Sequence, residues 1–220
     1  MNWRRSGLLA VAGALVDRWY FARLVASADA ADRRGGETTP FFDRLLHGLR
    51  HRRRKNKIAD STGAAMTGGE LLTRSMVLRR LLRRHALQPG EQHVGLLLPP
   101  TCAAIAANVA LTLDRRVAVN LNYTLTSELL NSCIAQAGIR HVVTSRRFME
   151  RMPFNLDAEL VYLEDYREKA TPVDKVVGAL QGYLLPIGLL QRLLGLHRIK
   201  NDDVLTVVFT SGSTGEPKGA

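Results

Sequence analysis

The sequence is poor in the residues that define several classes of protein. It has two cysteines in 220 residues, Cys102 and Cys133, both in apolar surroundings and without a CxxC pair. This low content argues against a disulfide-rich secreted scaffold. Two buried free thiols are expected, with a single disulfide as the alternative. His47 and His51 stand four residues apart with no third ligand close in sequence, so no metal site is predicted.

Apolar runs long enough to cross a bilayer, about 20 residues, are also missing. Residues 7–16 are too short, and residues 176–196 are interrupted by Pro186 and contain Gln181, Gln191 and Arg192. The second stretch therefore predicts two amphipathic helices that meet at Pro186. Either they belong to the core, or they form an apolar surface that contacts lipid or an acyl chain.

Acidic residues are outnumbered, with 20 Asp and Glu against 31 Lys and Arg, a net charge of +11. Residues 51–57 are the densest basic run. Such a run can attract anionic lipid, an acidic protein or nucleic acid, and a solvated basic loop explains it equally well. Aromatic residues make up 6% of the chain, and none is interleaved with these arginines. Stacking on bases is therefore unsupported, and nucleic acid is not expected as a partner.

The middle of the chain alternates between strand and helix patterns. Strands are predicted at 58–60, 66–67, 94–98, 117–121, 141–144, 160–163 and 205–209, and helices at 70–85, 102–113, 128–137 and 145–152. In the helix at 70–85, Leu71, Leu78 and Leu82 form the inner stripe and the arginines are expected to point largely outward. This alternation predicts an α/β fold with a mostly parallel, doubly wound sheet. We divide the chain into an N-terminal helical and basic extension, residues 1–39, and a partial domain, residues 40–220.

The last predicted strand runs directly into a loop of hydroxyls, glycines and one lysine, residues 210–219. Glycines let the backbone approach a ligand closely, and hydroxyls and free amides donate to phosphate oxygens. The predicted phosphate-binding residues are Thr210, Ser211, Gly212, Ser213, Thr214, Gly215 and Lys218. A plain Ser/Gly linker is the alternative, but a linker needs neither a strand before it nor a Pro-Lys-Gly end. The spacing is not that of a Walker loop.

This loop resembles, almost letter for letter, the phosphate loop of the adenylate-forming (AMP-binding) superfamily. Upstream, Thr67-Gly68-Gly69-Glu70-Leu71 is similar to its Thr-Tyr-x-Glu-Leu signature, with Gly68 at the aromatic position. Residues 117–124 stand where many members have Val-Pro-Leu-Asp-Pro. Together with 137–140 and 144–148 they are most similar to the ligase half of the 2-acylglycerophosphoethanolamine acyltransferase/acyl-ACP synthetase group. The resemblance covers about residues 40 to 220.

The resemblance implies an ATP- and Mg²⁺-dependent fatty-acid ligase. Such an enzyme forms an acyl-adenylate and passes the acyl group to acyl carrier protein or coenzyme A. It implies that residues 210–218 hold the ATP phosphates, and that Lys218 is a phosphate contact and not the adenylation lysine of the C-terminal lid. A turn of Asp114, Arg115 and Arg116 replaces the family's small, glycine-bearing turn, so a different local turn is expected.

The family's adenine, Mg²⁺ and ribose motifs and its lid lysine have no counterpart in these 220 residues. The chain is therefore expected to be the first part of a longer enzyme, a truncated product or a gene fragment, with no catalytic residues of its own and no adenylation activity. The alternatives are a non-catalytic, membrane-associated binding protein with a relic loop, and a basic nucleic-acid-binding protein. Residues 1–28 have the outline of a signal peptide, but a nucleotide loop argues against export, and an amphipathic helix that lies on a membrane or on the protein itself is preferred. A cytoplasmic protein is expected, with an anionic membrane surface as a further candidate partner and a peripheral position on the inner face of the membrane as a further option.

Overall fold

The computed structural model describes residues 41–51, 54–200, 203–211 and 217–219. The predicted extension 1–39 lies outside this part. The helices are α1 (Phe41–His51), α2 (Gly68–His85), α3 (Cys102–Leu113), α4 (Ser127–Ala137), α5 (Arg146–Arg151), α6 (Leu163–Lys169), α7 (Pro172–Tyr183) and α8 (Ile187–Leu194). The strands are β1 (Asn56–Ala59), β2 (Ala65–Thr67), β3 (His93–Leu96), β4 (Val117–Asn120), β5 (His141–Thr144), β6 (Glu159–Tyr162), β7 (Thr206–Ser211) and β8 (Pro217–Gly219). A 3-10 turn, Leu196–Arg198, follows α8.

A parallel sheet forms the centre of the molecule. Its strand order is β6-β5-β3-β4-β7, and β8 pairs antiparallel with β7 at the edge. The chain moves from β3 to β4 on one side and then crosses to β5 on the other, so the winding direction reverses beside β3. The predicted α/β fold with a doubly wound sheet is confirmed.

Apolar side chains cover both faces of the sheet because strand residues alternate between faces. On one face, Val94, Leu96 and Ala118 pack with Leu81 of α2 and Leu111 of α3. The opposite face has its own apolar cluster, which contains Val117, Val119, Leu130, Ile134 and Phe209. A third cluster joins α1, α2, α3 and α8 over the β1–β2 hairpin. The sheet is thus buried on both sides, which fits its nearly continuous apolar strands.

Polar residues at the helix ends set where the helices start and stop. The hydroxyls of Thr67, Thr101 and Thr126 accept hydrogen bonds from amides in the first turns of α2, α3 and α4. Gly138 ends α4 with φ 62°, a left-handed conformation that glycine adopts without a steric penalty. These caps confirm the predicted helix boundaries to within one or two residues for α3 and α4.

One prediction about helices needs correction. No helix is predicted between 163 and 175, yet α6 and the first turn of α7 occupy it; the signal was a capping box in which Thr171 and Asp174 bond each other's backbone amides. The arginines of α2 point largely outward, as predicted, but Arg79 does not. The side chain of Arg79 is 12% exposed and forms an ion pair with Asp114 at 3.0 Å.

The region 176–196 forms two helices that meet at Pro186, as predicted. Within the described residues, no helix has both the length and the apolar character needed to cross a membrane.

Acid is expected to destabilise the fold through two aspartates. Burial acts to raise the pKa of Asp60, but hydrogen bonds from Thr62 and from the Cys102 amide outweigh it and lower that pKa to about 2. Hydrogen bonds from Thr171 and Arg80 lower the pKa of Asp174 to about 2. Both values lie below the ordinary 3.8, so the folded state binds fewer protons than the unfolded chain. Their stabilisation is complete above about pH 4 and is lost as the pH falls towards 2.

Thermal unfolding between pH 5 and pH 2, a range set by these pKa values, measures this effect. The Asp60→Asn and Asp174→Asn variants are expected to lose less stability than the unmodified chain over that range. If the melting temperatures of all three proteins fell by the same amount over that range, the loss of stability in acid would not come from these two carboxylates.

Candidate phosphate-binding site

The candidate site lies at the carboxyl end of β7, the edge strand of the parallel sheet. Strand β7 pairs in parallel with β4, with Ala118 opposite Thr206 and Asn120 opposite Val208. Parallel strands place their carboxyl ends at one edge of the sheet, where ligands of doubly wound folds bind. The predicted strand 205–209 is therefore confirmed with a shift of one or two residues. The predicted loop 210–219 is wrong at both ends, because Thr210 and Ser211 continue β7 and residues 217–219 form β8, which pairs with it.

Strand β7 pairs with β8 as an antiparallel hairpin. Phe209 pairs with Gly219, Thr210 with Lys218 and Ser211 with Pro217. This register brings the backbone of Lys218 opposite Thr210, although they are eight positions apart in sequence. Of the seven predicted phosphate-binding residues, Thr210, Ser211 and Lys218 thus lie on neighbouring strands, while Gly212, Ser213, Thr214 and Gly215 fall outside the described residues. Pro217 is the first residue of β8.

Side-chain hydrogen bonds fasten the start of β7 to the strand beside it. The Thr206 hydroxyl donates to the Ala118 carbonyl at 2.8 Å. The amide of Asn120 donates to the Thr206 hydroxyl at 3.0 Å, and the amides of Asn108 and Asn120 exchange hydrogen bonds at 3.1 and 3.2 Å. This chain of bonds runs from α3 through β4 to β7, so the position of the hairpin is fixed by polar contacts as well as by packing.

Apolar packing also holds the β7–β8 hairpin in place. Phe209 is 6% exposed and belongs to the cluster that α4 contributes with Leu130, Cys133 and Ile134. Helix α4 also lies against β8. The last apolar residue of the strand is therefore buried just before the hydroxyl-rich segment begins, which leaves the hairpin end beyond the core.

The neighbouring strand ends are also ordered by short-range polar contacts. After β4, the Asn122 carboxamide oxygen accepts hydrogen bonds from the amide and hydroxyl of Thr124 at 3.0 and 2.8 Å, an Asx turn. At the end of β5, the buried Thr144 hydroxyl donates to the Leu97 carbonyl at 2.7 Å. Sequence reasoning did not single out Asn108, Asn120, Thr144 or Thr206. For Asn120, Thr144 and Thr206 the signal was a polar residue within an apolar strand, and for Asn108 it was a polar residue within an apolar helix.

The two thiols do not supply a nucleophile. Both cysteines are free and buried, as expected. Burial raises the pKa of Cys133, and burial together with the charge of Asp60 raises the pKa of Cys102. A protonated, buried thiol is chemically inert.

Divalent-metal ligands are not gathered at this edge. Among the side chains that the structure describes, no three of the His, Cys, Asp or Glu type come together to hold an ion. Backbone amides, hydroxyls and a lysine suit the phosphate groups of a nucleotide. The predicted residues are of the types that suit phosphate, and none of the described residues is assigned to Mg²⁺.

The fold matches solved structures of adenylate-forming enzymes. The O-succinylbenzoate coenzyme A synthetase MenE from Bacillus subtilis, in complex with AMP, superposes with a TM-score of 0.58 at 18% identity, over 80% of this chain and 40% of that one. VinN in complex with 3-methylaspartate gives a TM-score of 0.57 at 20% identity, over 81% of this chain and 46% of that one. At these identities the likeness establishes the fold, an α/β domain built on a parallel sheet.

Sequence comparison adds the family. The model of the AMP-binding enzyme family matches residues 48–220, more than half of the chain, and the chain belongs to that family. The 3-oxocholest-4-en-26-oate–CoA ligase of Rhodococcus rhodochrous is 26% identical over 161 residues, 72% of this chain. The chain spans 28% of the length of that ligase.

Proposed function

We propose that this chain supplies the ATP phosphate-binding part of a ligase that activates a long-chain fatty acid as its adenylate. One observation supports this most directly: the hydroxyl- and glycine-rich segment starts where β7 reaches the carboxyl edge of the sheet, and the hairpin register returns Lys218 to the same place. A linker would not be fastened by strand pairing on both sides.

The reaction would proceed in two balanced steps. A carboxylate oxygen of the acid attacks the α-phosphorus of ATP, the bond from that phosphorus to the bridging oxygen breaks, and pyrophosphate leaves. A thiol of acyl carrier protein or coenzyme A then attacks the acyl carbon, loses its proton and displaces AMP. When bound, Mg²⁺ would neutralise part of the phosphate charge.

The residues of this chain would act by binding and orientation. Hydroxyls and amides of residues 210–215 would donate to phosphate oxygens, and Lys218 would place a positive charge beside the departing pyrophosphate. Fixed donors are effective only if they do not move during the reaction. The Asn120–Thr206 bond and the buried Phe209 provide that rigidity on the protein side.

The proposal also specifies the carboxylic acid substrate and the thiol that accepts the acyl group. A long-chain fatty acid, and acyl carrier protein or coenzyme A as acceptor, follow from the likeness of residues 117–124 and 137–148 to the acyl-ACP synthetase group. The matched Rhodococcus enzyme is named as a CoA ligase for a steroid acid, which is also a large apolar carboxylic acid. A cytoplasmic location is proposed because the substrate would be ATP.

Photolabelling with an azido analogue of ATP tests the nucleotide site on the chain itself. Labelling is expected in the peptide that contains residues 206–219, and unlabelled ATP should suppress it. Labelling elsewhere, or labelling that ATP does not suppress, would favour the second candidate, a membrane-associated binding protein with a relic loop. Fatty-acid-dependent exchange of pyrophosphate into ATP is not expected from this chain alone; exchange would overturn that expectation while supporting the nucleotide site.

A further inference from the structure

The small residues of helix α7 face the core, and its large apolar residues face the solvent. Its buried positions are Asp174, Gly178 and Gly182, four residues apart on one side of the helix. A Cβ atom at Gly178 would lie 2.6 Å from Val77 Cγ2 and 3.4 Å from the Thr73 carbonyl oxygen. The glycines therefore let the backbone of α7 lie directly on α2, which is the opposite of the usual amphipathic arrangement.

Large aliphatic side chains are exposed on α7 and also on α8, the next helix along the chain. We define this apolar face by Val173, Val176, Leu180, Leu184, Leu189 and Leu193, whose exposed fractions range from 45% to 72%. A helical step of 100° per residue puts Val176 and Leu180 on the side of α7 opposite Gly178. Soluble monomers rarely leave a contiguous set of large aliphatic side chains in water, so such a surface indicates a binding site.

The apolar face is bordered by positive charge. Residues 175–201 contain Lys175, Arg192, Arg198 and Lys200 and no aspartate or glutamate. Asp174, the nearest carboxylate before this stretch, is 1% exposed and forms ion pairs with Arg80 at 2.7 Å and Arg84 at 3.6 Å. Its charge is directed inward. What the face presents to a partner is therefore aliphatic groups and cations.

The junction of the two helices is held in place before any partner binds. Arg50 of α1 donates from Nε to the Gly182 carbonyl at 2.8 Å and from a terminal nitrogen to the Gln181 carbonyl at 2.9 Å. These bonds satisfy carbonyls at the end of α7 and place a cation at the negative end of its dipole. No ordering cost then has to be met when the face is covered.

We propose that this apolar face docks on the surface of a bilayer that contains anionic lipid. Helix α7 has 12 residues, about 18 Å at 1.5 Å per residue, and α8 has eight, so the pair would lie along the interface. Amphipathic helices of this kind insert their aliphatic side chains at the boundary between headgroups and acyl chains, with flanking lysine and arginine on the phosphates. Among the exposed large apolar side chains of the two helices only Tyr183 is aromatic, whereas protein interfaces are enriched in aromatic residues. The proposal does not depend on ligase activity.

Co-sedimentation of the purified chain with vesicles tests the docking. The chain should bind vesicles of phosphatidylcholine with phosphatidylglycerol and bind phosphatidylcholine vesicles more weakly, and added salt should reduce the difference. Leu193→Ser should weaken binding about tenfold. Val204→Ser is the matched control, since both residues are 59% exposed and Val204 lies outside the apolar face. Lys175→Gln and Arg192→Gln should each weaken binding to the anionic vesicles about fivefold.

A dye reports which surface touches the lipid. A Leu184→Cys variant takes an environment-sensitive thiol dye at an exposed site, because both natural cysteines are buried. Vesicles should shift its emission to the blue and leave a dye at Val204→Cys unchanged. Vesicle binding without a shift at position 184 would mean that another part of the chain binds lipid. If the emission of the dye at position 184 is already blue-shifted without vesicles, a second copy or another segment of this chain covers the apolar face. Light scattering, which reports the molar mass, distinguishes a second copy from a segment of the same chain. Each of these results overturns the proposal.

Discussion

Replacing Lys218 with alanine is expected to weaken ATP binding by about tenfold to a hundredfold. The backbone of Lys218 pairs with that of Thr210 at the carboxyl edge of the sheet, where the proposed triphosphate would lie. A lysine on a phosphate makes a charge-assisted hydrogen bond, which contributes about 1.5–3 kcal/mol. Because a factor of ten in affinity corresponds to about 1.4 kcal/mol, the loss should be easily measured by calorimetry on the purified chain.

Two further variants separate a phosphate contact from a general effect of charge. Lys218→Arg keeps the cation and should retain most of the affinity. Lys169→Ala removes a cation from α6. This helix follows β6, which is the edge strand on the other side of the sheet from β7, so the substitution should leave ATP binding unchanged. Equal losses in Lys218→Ala and Lys169→Ala would show that only net charge matters, and an unchanged Lys218→Ala would remove the lysine from the proposed site.

The sequence was sufficient for the parts of the fold that local chemistry specifies. Threonines 101 and 126 and Gly138 marked helix ends because each forms its cap with residues three or four positions away. The strands of the sheet were apparent because parallel strands buried on both faces are almost wholly apolar. The place of Thr210 and Ser211 followed from the same reasoning, since the residues that end a parallel strand lie at the carboxyl edge.

Contacts between residues far apart in sequence could not be predicted in this way. Asn120 meets Thr206 across 86 positions, and Arg50 meets the end of α7 across more than 130. Nothing in the neighbouring sequence of either residue indicates its partner. The solvent-facing apolar side of α7 was left open between core and surface for the same reason, because a glycine stripe shows its direction only when its neighbour is known.

The turn of Asp114 and two arginines illustrates how such contacts replace a sequence rule. Arg115 has φ 59°, the left-handed conformation that favours glycine. The turn thus adopts a glycine-type backbone at this residue without glycine. Asp114 beside it is buried, with its side chain 6% exposed between Arg79 and Arg116. The long-range ion pair with Arg79 holds the end of α3 to α2, and the local pair with Arg116 ties the turn to the start of β4.

Replacing Asp114 with alanine should therefore cause the largest loss of stability among the substitutions considered. Arg79 lies 3.0 Å and Arg116 2.8 Å from the carboxylate, and their side chains are 12% and 9% exposed. Burial lowers the pKa of Arg79, and the charge of Asp114 opposes that shift. Without Asp114 two buried guanidinium groups lose their counter-charge, which costs about 3–5 kcal/mol. For a domain of this size the melting temperature should fall by roughly 10 °C.

A double substitution distinguishes an unpaired charge from a simple loss of packing. Adding Arg79→Met to Asp114→Ala removes one of the uncompensated cations and should recover a clear part of the lost melting temperature in a thermal scan, because replacing both partners of a buried pair costs less than removing one. Asp157→Ala, at an exposed aspartate, should change the melting temperature little. If the two losses in the double variant simply add, the charge network does not hold this turn, and the arginines of α2 must be stabilised by other contacts.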